Sequence, residues 1–229
     1  MQAADVMTTN VISVTEDAEV REIASLLLEH GISAVPVVDA DQKVLGIVSE
    51  SDLMRRVENE ADTHKSWWLK LLSGANAGEY VKSHGRKARE IMTPRPVTVG
   101  EDEPLHRIAS LLEKHRIKRV PVVRDGKLVG IVSRSNLLRG FSVTAPDTSL
   151  DVTTDDREIR NAILKEVDEN TGVLVDRLNV IVAEGKVQLW GLVENQEEKL
   201  AVQVAAENTA GVKAVENNLG FVPRGMSSF

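Results

Sequence analysis

The chain contains no cysteine among its 229 residues. Disulfides, thiolate metal sites and thiol nucleophiles are excluded together, and nothing argues for an oxidising compartment. No apolar run approaches the roughly 18 residues that a membrane-spanning helix requires. The opening Met1-Gln2-Ala3-Ala4-Asp5 lacks the basic start and apolar stretch of a secretory signal, so a cytoplasmic protein is expected. Positive charge is the minority sign, with 28 Lys and Arg against 35 Asp and Glu and a net charge of −7. The excess acid is local: residues 151–229 hold 14 acidic and 8 basic side chains, whereas residues 1–150 hold 21 and 20. An acidic surface repels nucleic acid and anionic membranes within a Debye length, so nucleic acid is not expected as a partner. Hydrophobic residues make up 42%, enough to bury an ordinary core in one large or two small domains.

What the chain does have is a duplication. Gly46-Ile47-Val48-Ser49-Glu50-Ser51-Asp52-Leu53 returns as Gly130-Ile131-Val132-Ser133-Arg134-Ser135-Asn136-Leu137. Met7-Thr8 matches Met92-Thr93, Ile23-Ala24-Ser25-Leu26-Leu27 matches Ile108-Ala109-Ser110-Leu111-Leu112, and Val35-Pro36-Val37-Val38 matches Val120-Pro121-Val122-Val123. Within each copy, Val20, Ile23, Ala24 and Leu27, echoed by Leu105, Ile108, Ala109 and Leu112, follow the i, i+3, i+4, i+7 spacing of an amphipathic helix. Asp17 and Asp102 are the expected N-caps. Gly31 stands where a helix C′ residue wants positive φ, and Arg116 at the matching place is less suited. Two β-branched strands follow, joined by Asp41-Gln42 in one copy and by the tighter Asp125-Gly126 signal in the other. Each copy therefore reads strand, helix, strand, strand and a further helix starting near Asp52 or Asn136.

From about Thr153 the pattern changes. A helix marked by Ile159, Ile163, Leu164 and Val167, with Asp155 or Asp156 as its cap, precedes strands at 178–183 and 187–193. A helix over 196–209 and a strand within 212–221 complete an α-β-β-α-β order, which packs two helices on one sheet face. The fold class expected is α+β. The predicted divisions are a first repeat at 1–56, an insertion at 57–89, a second repeat at 90–141, a linker at 142–152 and a small domain at 153–223.

The repeated segment ends a strand on a hydroxyl, Ser49 or Ser133, followed three residues later by Asp52 or Asn136. Such groups suit a phosphate and a ribose diol. The same residue types also cap a helix after a strand-to-helix turn, and the sequence leaves both readings open.

In their order and repetition, the Met-Thr, Val-Pro-Val-Val and Gly-Ile-Val-Ser-x-Ser-(Asp/Asn) motifs resemble those of CBS domains. The pair resembles a Bateman module with pseudo-twofold symmetry. Residues 153–223 resemble a BON domain through Val187-x-Leu189-x-Gly191-x-Val193 and Gly211-Val212, with Asn217 to Leu219 after them. The CBS resemblance implies a non-enzymatic regulatory module that binds an adenine nucleotide (ATP, ADP or AMP) or S-adenosylmethionine in clefts between the repeats, requires no metal and forms a homodimer. Carried over, it places Asp52 and Asn136 at the ribose and Ser49 and Ser133 near ribose or phosphate. Ile12, Ile32 and Ala34 line one adenine pocket, and Val97, Ile117 and Arg119 line the other. Ser33 and Ala34 occupy the places that Lys118 and Arg119 take in the second copy. An ionised Asp accepts from both hydroxyls of a diol, while Asn offers one accepting oxygen. The second site is thus expected to rely more on phosphate charge.

Other features carry less. The basic run Lys114, Arg116, Lys118, Arg119 also suits a helix end, where cations meet the dipole. His30 and His115 lack companions at metal-ligand spacing, and Gly126-Lys127 and Gly185-Lys186 lack the upstream glycine of a P-loop. The insertion gathers Trp67, Trp68 and Tyr80 with Leu71 and Leu72 into an apolar face that suits a repeat, a dimer partner or a membrane surface, beside basic Lys82, Arg86, Lys87 and Arg89. No motif joins a nucleophile, a base and an orienting group. A rival reading makes the BON-like domain the working part, binding phospholipid or a protein in envelope stress, with the CBS pair as dimerising scaffold.

Overall fold

The structure is a computed structural model that describes residues 1–54, 85–143 and 154–222. Trp67, Trp68, Leu71, Leu72, Tyr80 and Lys82 lie outside the described residues. The described elements begin with α1 (Ala3–Val6), β1 (Val14–Thr15), α2 (Val20–Glu29), β2 (Ala34–Val38), β3 (Val44–Ser49), α3 (Ala88–Ile91) and β4 (Thr93–Pro94). Then come α4 (Leu105–Lys114), β5 (Arg119–Arg124), β6 (Lys127–Ser133) and α5 (Arg134–Val143). The C-terminal part holds α6 (Thr154–Asn170), a 3-10 turn (Val175–Arg177), β7 (Leu178–Ala183), β8 (Lys186–Val193), α7 (Gln196–Glu207) and β9 (Ala214–Phe221). The chain divides into two compact units: Ile12–Pro96 with Asp125–Leu128, and Met1–Val11 with Val97–Arg124 and Val129–Phe229.

In the first of these units the sheet order is β1-β2-β3-β4, with β1 parallel to β2 and the remaining neighbours antiparallel. Val20, Ile23 and Leu27 of α2 bury the apolar stripe that their spacing predicts, against Val35, Val37 and Val48 of the sheet. Ala88 and Ile91 of α3 complete that core. The second repeat builds the same arrangement with shorter edges: β5 and β6 form the hairpin, Val99 bridges Val122 in parallel and Thr8 bridges Ile131 antiparallel. Its core takes Ala3, Val6 and Met7 from the N-terminal arm. Each sheet is therefore closed by the Met-Thr segment that precedes the other repeat in sequence.

Glycine explains why these motifs travel together. A Cβ on Gly46 would overlap the thioether of Met92, and one on Gly130 would overlap that of Met7. Each methionine lies against a strand surface that only glycine leaves open.

The helix ends follow the predicted backbone demands more closely than the predicted caps. Gly31 (φ 61°) and Arg116 (φ 54°) both follow their helices in the left-handed region, the arginine without glycine's freedom. Asp125-Gly126 (φ 52°, 80°) and Glu184-Gly185 (φ 53°, 76°) have positive φ at both central positions, as type I′ hairpins require. The N-cap positions, however, are Glu19 and Pro104, so Asp17 and Asp102 stand too early to cap. Asp17 instead accepts from Lys87 at 2.8 Å and pairs with Arg89. The Lys87 hydrogen bond first, then the Arg89 charge, hold its carboxyl below the usual range.

The C-terminal domain is the αββαβ unit expected: sheet order β7-β8-β9, antiparallel then parallel, with α7 making the crossover. Both helices pack on one face, where Ile163, Val167, Val202 and Ala206 meet Val180, Leu189 and Leu219. Every residue of β7 is buried, because its other face is covered too: Ile181 and Trp190 join the core of the second repeat. Asp156 lies inside the first turn of α6 rather than ahead of it. It is buried and accepts from the backbone N–H groups of Glu184 (3.1 Å) and Gly185 (2.8 Å), fixing the β7–β8 turn. Gly191 has φ 135°, and the space a Cβ needs there is filled by the Arg177 carbonyl.

Candidate functional site

At the first copy of the duplicated segment, β2 and β3 pair antiparallel with Ala34 opposite Ser49. This register brings the predicted Ile32-Ser33-Ala34 to the end of the hairpin where β3 turns into helical residues 50–54. The Glu50 N–H donates to the Ser33 carbonyl at 3.0 Å, joining the two stretches. Ser49 donates to Asp52 Oδ2 twice, from its backbone N–H (2.9 Å) and from Oγ (2.7 Å). The Asp52 carboxylate thus caps the turn with one oxygen while the residue stays half-buried. Ile12 and Ile32 pack against the core beneath.

The second copy repeats this frame and uses it differently. Arg134 N–H donates to the Lys118 carbonyl at 3.1 Å, as Glu50 does to Ser33. Asn136 Oδ1 accepts from Ser133 N–H (2.9 Å) and Oγ (2.5 Å), and the Asn136 N–H faces Ser133 Oγ at 3.3 Å, a reciprocal capping box. The amide nitrogen then donates to the Val6 carbonyl at 2.9 Å, with Thr8 Oγ1 at 3.5 Å. Asn136 is 3% exposed. Carboxylate and amide are therefore not interchangeable here: an ionised Asp could not donate to Val6 and would set charge against a carbonyl. Val97 and Ile117 pack against the second core, Arg119 is half-buried and Lys118 exposed.

Charge distinguishes the two turns, and by one residue more than Lys118 and Arg119. The variable position of the duplicated segment is Glu50 in the first copy and Arg134 in the second, both exposed. The Arg134 guanidinium reaches the Ile117 carbonyl at 3.5 Å. Arg134 thus joins Lys118 and Arg119, whereas the first copy has Ser33, Ala34 and Glu50. This difference was readable from the aligned repeats. The part played by Val6 and Thr8 was not, because no local signal says which sheet an N-terminal arm will join.

The arm also carries the C-terminal domain. Val6 O accepts a second amide, Asn179 Nδ2 of β7, at 2.9 Å. Arg160 of α6, 4% exposed, donates to the carbonyls of Ala4 and Met7 at the end of α1. Burial lowers its pKa to about 10, an effect partly opposed by Asp5. Arg157 donates to the buried Asp5 (2.8 Å) and to Gln2 (3.0 Å). Arg139 of α5 lies 5.8 Å from the ring centre of Trp190 in β8. A cavity of about 480 Å³ opens beside Arg157 and Arg160, reaching Arg124 and Glu101. Its arginines are already engaged, Arg124 with Glu101 at 2.7 Å and Arg157 with Asp5.

Among the described residues no cluster of His, Asp and Glu could hold a metal ion, and no helix is long and apolar enough to cross a membrane.

Family models match a CBS domain at residues 3–59 and 88–142 and a BON domain at 155–223. CBS domain-containing protein CBSX1, chloroplastic, of Arabidopsis thaliana is 36% identical over 136 residues, covering 52% of this chain and 54% of its own length. The chain thus spans about half of that relative. The crystal structure of CBSX2 in complex with AMP superposes with a TM-score of 0.53 at 29% identity, over 62% of this chain and 97% of that one. The CBS domain pair of MJ0100, in complex with 5′-methylthioadenosine and S-adenosyl-L-methionine, gives 0.50 at 26% identity, over 62% and 97%. These matches agree with the paired glycine–methionine contacts, the two hairpin-to-helix turns and the αββαβ unit, and the chain belongs to the CBS-domain family, as a CBS pair followed by a BON domain.

Proposed function

We propose that this chain is a cytoplasmic, non-catalytic regulator that binds an adenosyl ligand on its CBS pair and relays occupancy to its BON domain. The observation that carries the reading is the first turn. Asp52 spends Oδ2 on Ser49 and sits half-buried at the mouth of the β2–β3 hairpin, with Ile12 and Ile32 on the core beside it. A carboxylate so placed suits a ribose diol, because charge-assisted hydrogen bonds are about twice as strong as neutral ones. Structural neighbours that hold AMP, or 5′-methylthioadenosine and S-adenosyl-L-methionine, on the same fold support the ligand class. Ser33, Ala34 and Ser49 complete this first position. Val97, Ile117, Lys118, Arg119, Ser133 and Asn136 form the second, where a phosphate meets cationic side chains. The working form is a homodimer, and the relay ends on a protein partner or a phospholipid surface met by the BON domain.

Calorimetric titration of nucleotide-free protein with AMP, ATP and S-adenosylmethionine tests this. At least one should bind, and Asp52→Ala should weaken the tighter event more than Asn136→Ala does. Absence of heat and of any thermal shift with all three ligands refutes the reading.

A further inference from the structure

The position that resemblance assigns to ribose recognition in the second repeat is already occupied by hydrogen bonds within the chain. Asn136 Oδ1 holds two donors from Ser133, and Nδ2 is bonded to Val6. A carbonyl-type oxygen has two lone pairs, both taken here by Ser133, so Asn136 meets a ribose oxygen only as a donor, through Nδ2, and only when that amide leaves a present partner. The Ser133 bonds cap α5, which leaves the Val6 carbonyl as the partner that can be given up.

Whether Val6 can be given up depends on the BON domain. Asn179 grips the same carbonyl from β7, Arg160 grips the carbonyls of Ala4 and Met7 on either side, and Arg157 holds Asp5. All four contacts fall on residues 4–7, which run straight into Thr8 and its bridge to Ile131 in β6. The arm is a short connection, bonded at each of residues 4–7, between the BON helix α6 and the turn that carries Asn136.

Building on the adenosyl-binding reading, we propose that the BON domain autoinhibits the second position. By pinning residues 4–7 it keeps Asn136 bonded to Val6, and a ligand that recruits Asn136 loosens the BON domain in return. Linkage makes the effect reciprocal. It also gives the Asp-to-Asn difference between the repeats a cause, since only an amide can join the Val6 carbonyl that the BON domain also holds.

The test is AMP binding to the full chain carrying Asp52→Ala, which leaves the second position to be read alone, with and without Asn179→Leu. Asn179 Oδ1 is buried without a partner among the described residues, so leucine keeps the volume and removes only the grip on Val6. Arg157→Gln, at a half-exposed side chain, loosens the arm independently. Each change should raise AMP affinity by about fivefold or more, the lower end of ordinary coupling between sites. In the wild-type chain, AMP should speed hydrogen exchange of residues 3–8. Equal or weaker AMP binding by both variants overturns the autoinhibition while leaving the adenosyl-binding reading intact. Failure of AMP, ATP and S-adenosylmethionine alike to bind any of these proteins refutes both.

Discussion

Arg160→Met is the substitution for which the structure gives the most constrained expectation. The guanidinium is 4% exposed and supplies donors to the carbonyls of Ala4 and Met7. Hydrogen bonds to charged groups are worth about 1.5–3 kcal/mol each, and a buried acceptor left unpaired costs about 1–3 kcal/mol. Against this stands the desolvation of the charge, which lowers the Arg160 pKa to about 10. Methionine restores that desolvation and keeps much of the aliphatic volume, yet both carbonyls remain. The net loss should be about 2–4 kcal/mol, felt locally at the arm, since the stranded carbonyls belong to the backbone and cannot be substituted away. Native-state hydrogen exchange of the amides of residues 3–8 reads it directly: protection should fall by about 30- to 700-fold, taking tenfold per 1.4 kcal/mol. The folded pKa of about 10 lies below the ordinary arginine value, so the unfolded chain binds more protons only in the alkaline range between the two. At neutral pH Arg160 is charged in both states, and the loss should not vary between about pH 6 and pH 8. Protection within about threefold of wild type would refute the reasoning, showing that desolvation of the guanidinium cancels its bonds to the arm.

Gly46→Ala and Gly130→Ala should each destabilise the fold by about 1–3 kcal/mol in urea unfolding, because a methyl group there must displace Met92 or Met7 from a filled site. Met92→Ala or Met7→Ala in the same chain should recover part of the packing strain of its partner glycine substitution, and a strictly additive double mutant would count against the contact. Arg116→Gly should raise the melting midpoint, relieving about 1–2 kcal/mol of left-handed strain less the extra freedom glycine brings to the unfolded chain, whereas Gly31→Ala should lower it.

Much of the architecture was legible because it rests on short-range rules applied twice. The apolar stripes of α2 and α4, the type I′ turn at Asp125-Gly126 and the positive φ at Gly31 and Arg116 are each fixed within a few residues. What escaped depends on partners far away in sequence. Asp17 and Asp102 look like N-caps locally, but Asp17 is drawn to Lys87 and Arg89 some 70 residues on. Asp156 is a cap candidate for α6 on local grounds, and no local pattern assigns a partner to Arg157 or Arg160. Instead Asp156 and Arg160 are buried, with partners in the β7–β8 turn and in α1, while half-exposed Arg157 reaches the buried Asp5. Helical periodicity cannot flag these groups, since a charge on an apolar face and a charge on a solvated face differ only in what lies opposite. The CBS resemblance puts Asn136 at the ribose as an acceptor poorer than Asp52, and its donor half acquires meaning only once Val6 is beside it.

The duplication therefore yields two turns of one shape that have diverged in what they hold. In the first, the capping residue is a half-buried carboxylate whose capping bonds fall on one oxygen. In the second, it is a buried amide that closes a circuit from Ser133 through Val6 to Asn179 of the BON sheet. An amide is the one side chain of that size able to accept from the helix cap and donate to the arm at once. Restoring symmetry by Asn136→Asp would leave the cap intact and break the circuit. The variant should keep α5 while lowering protection of residues 3–8, and the reverse pattern would show that the cap, not the arm, is what the amide maintains.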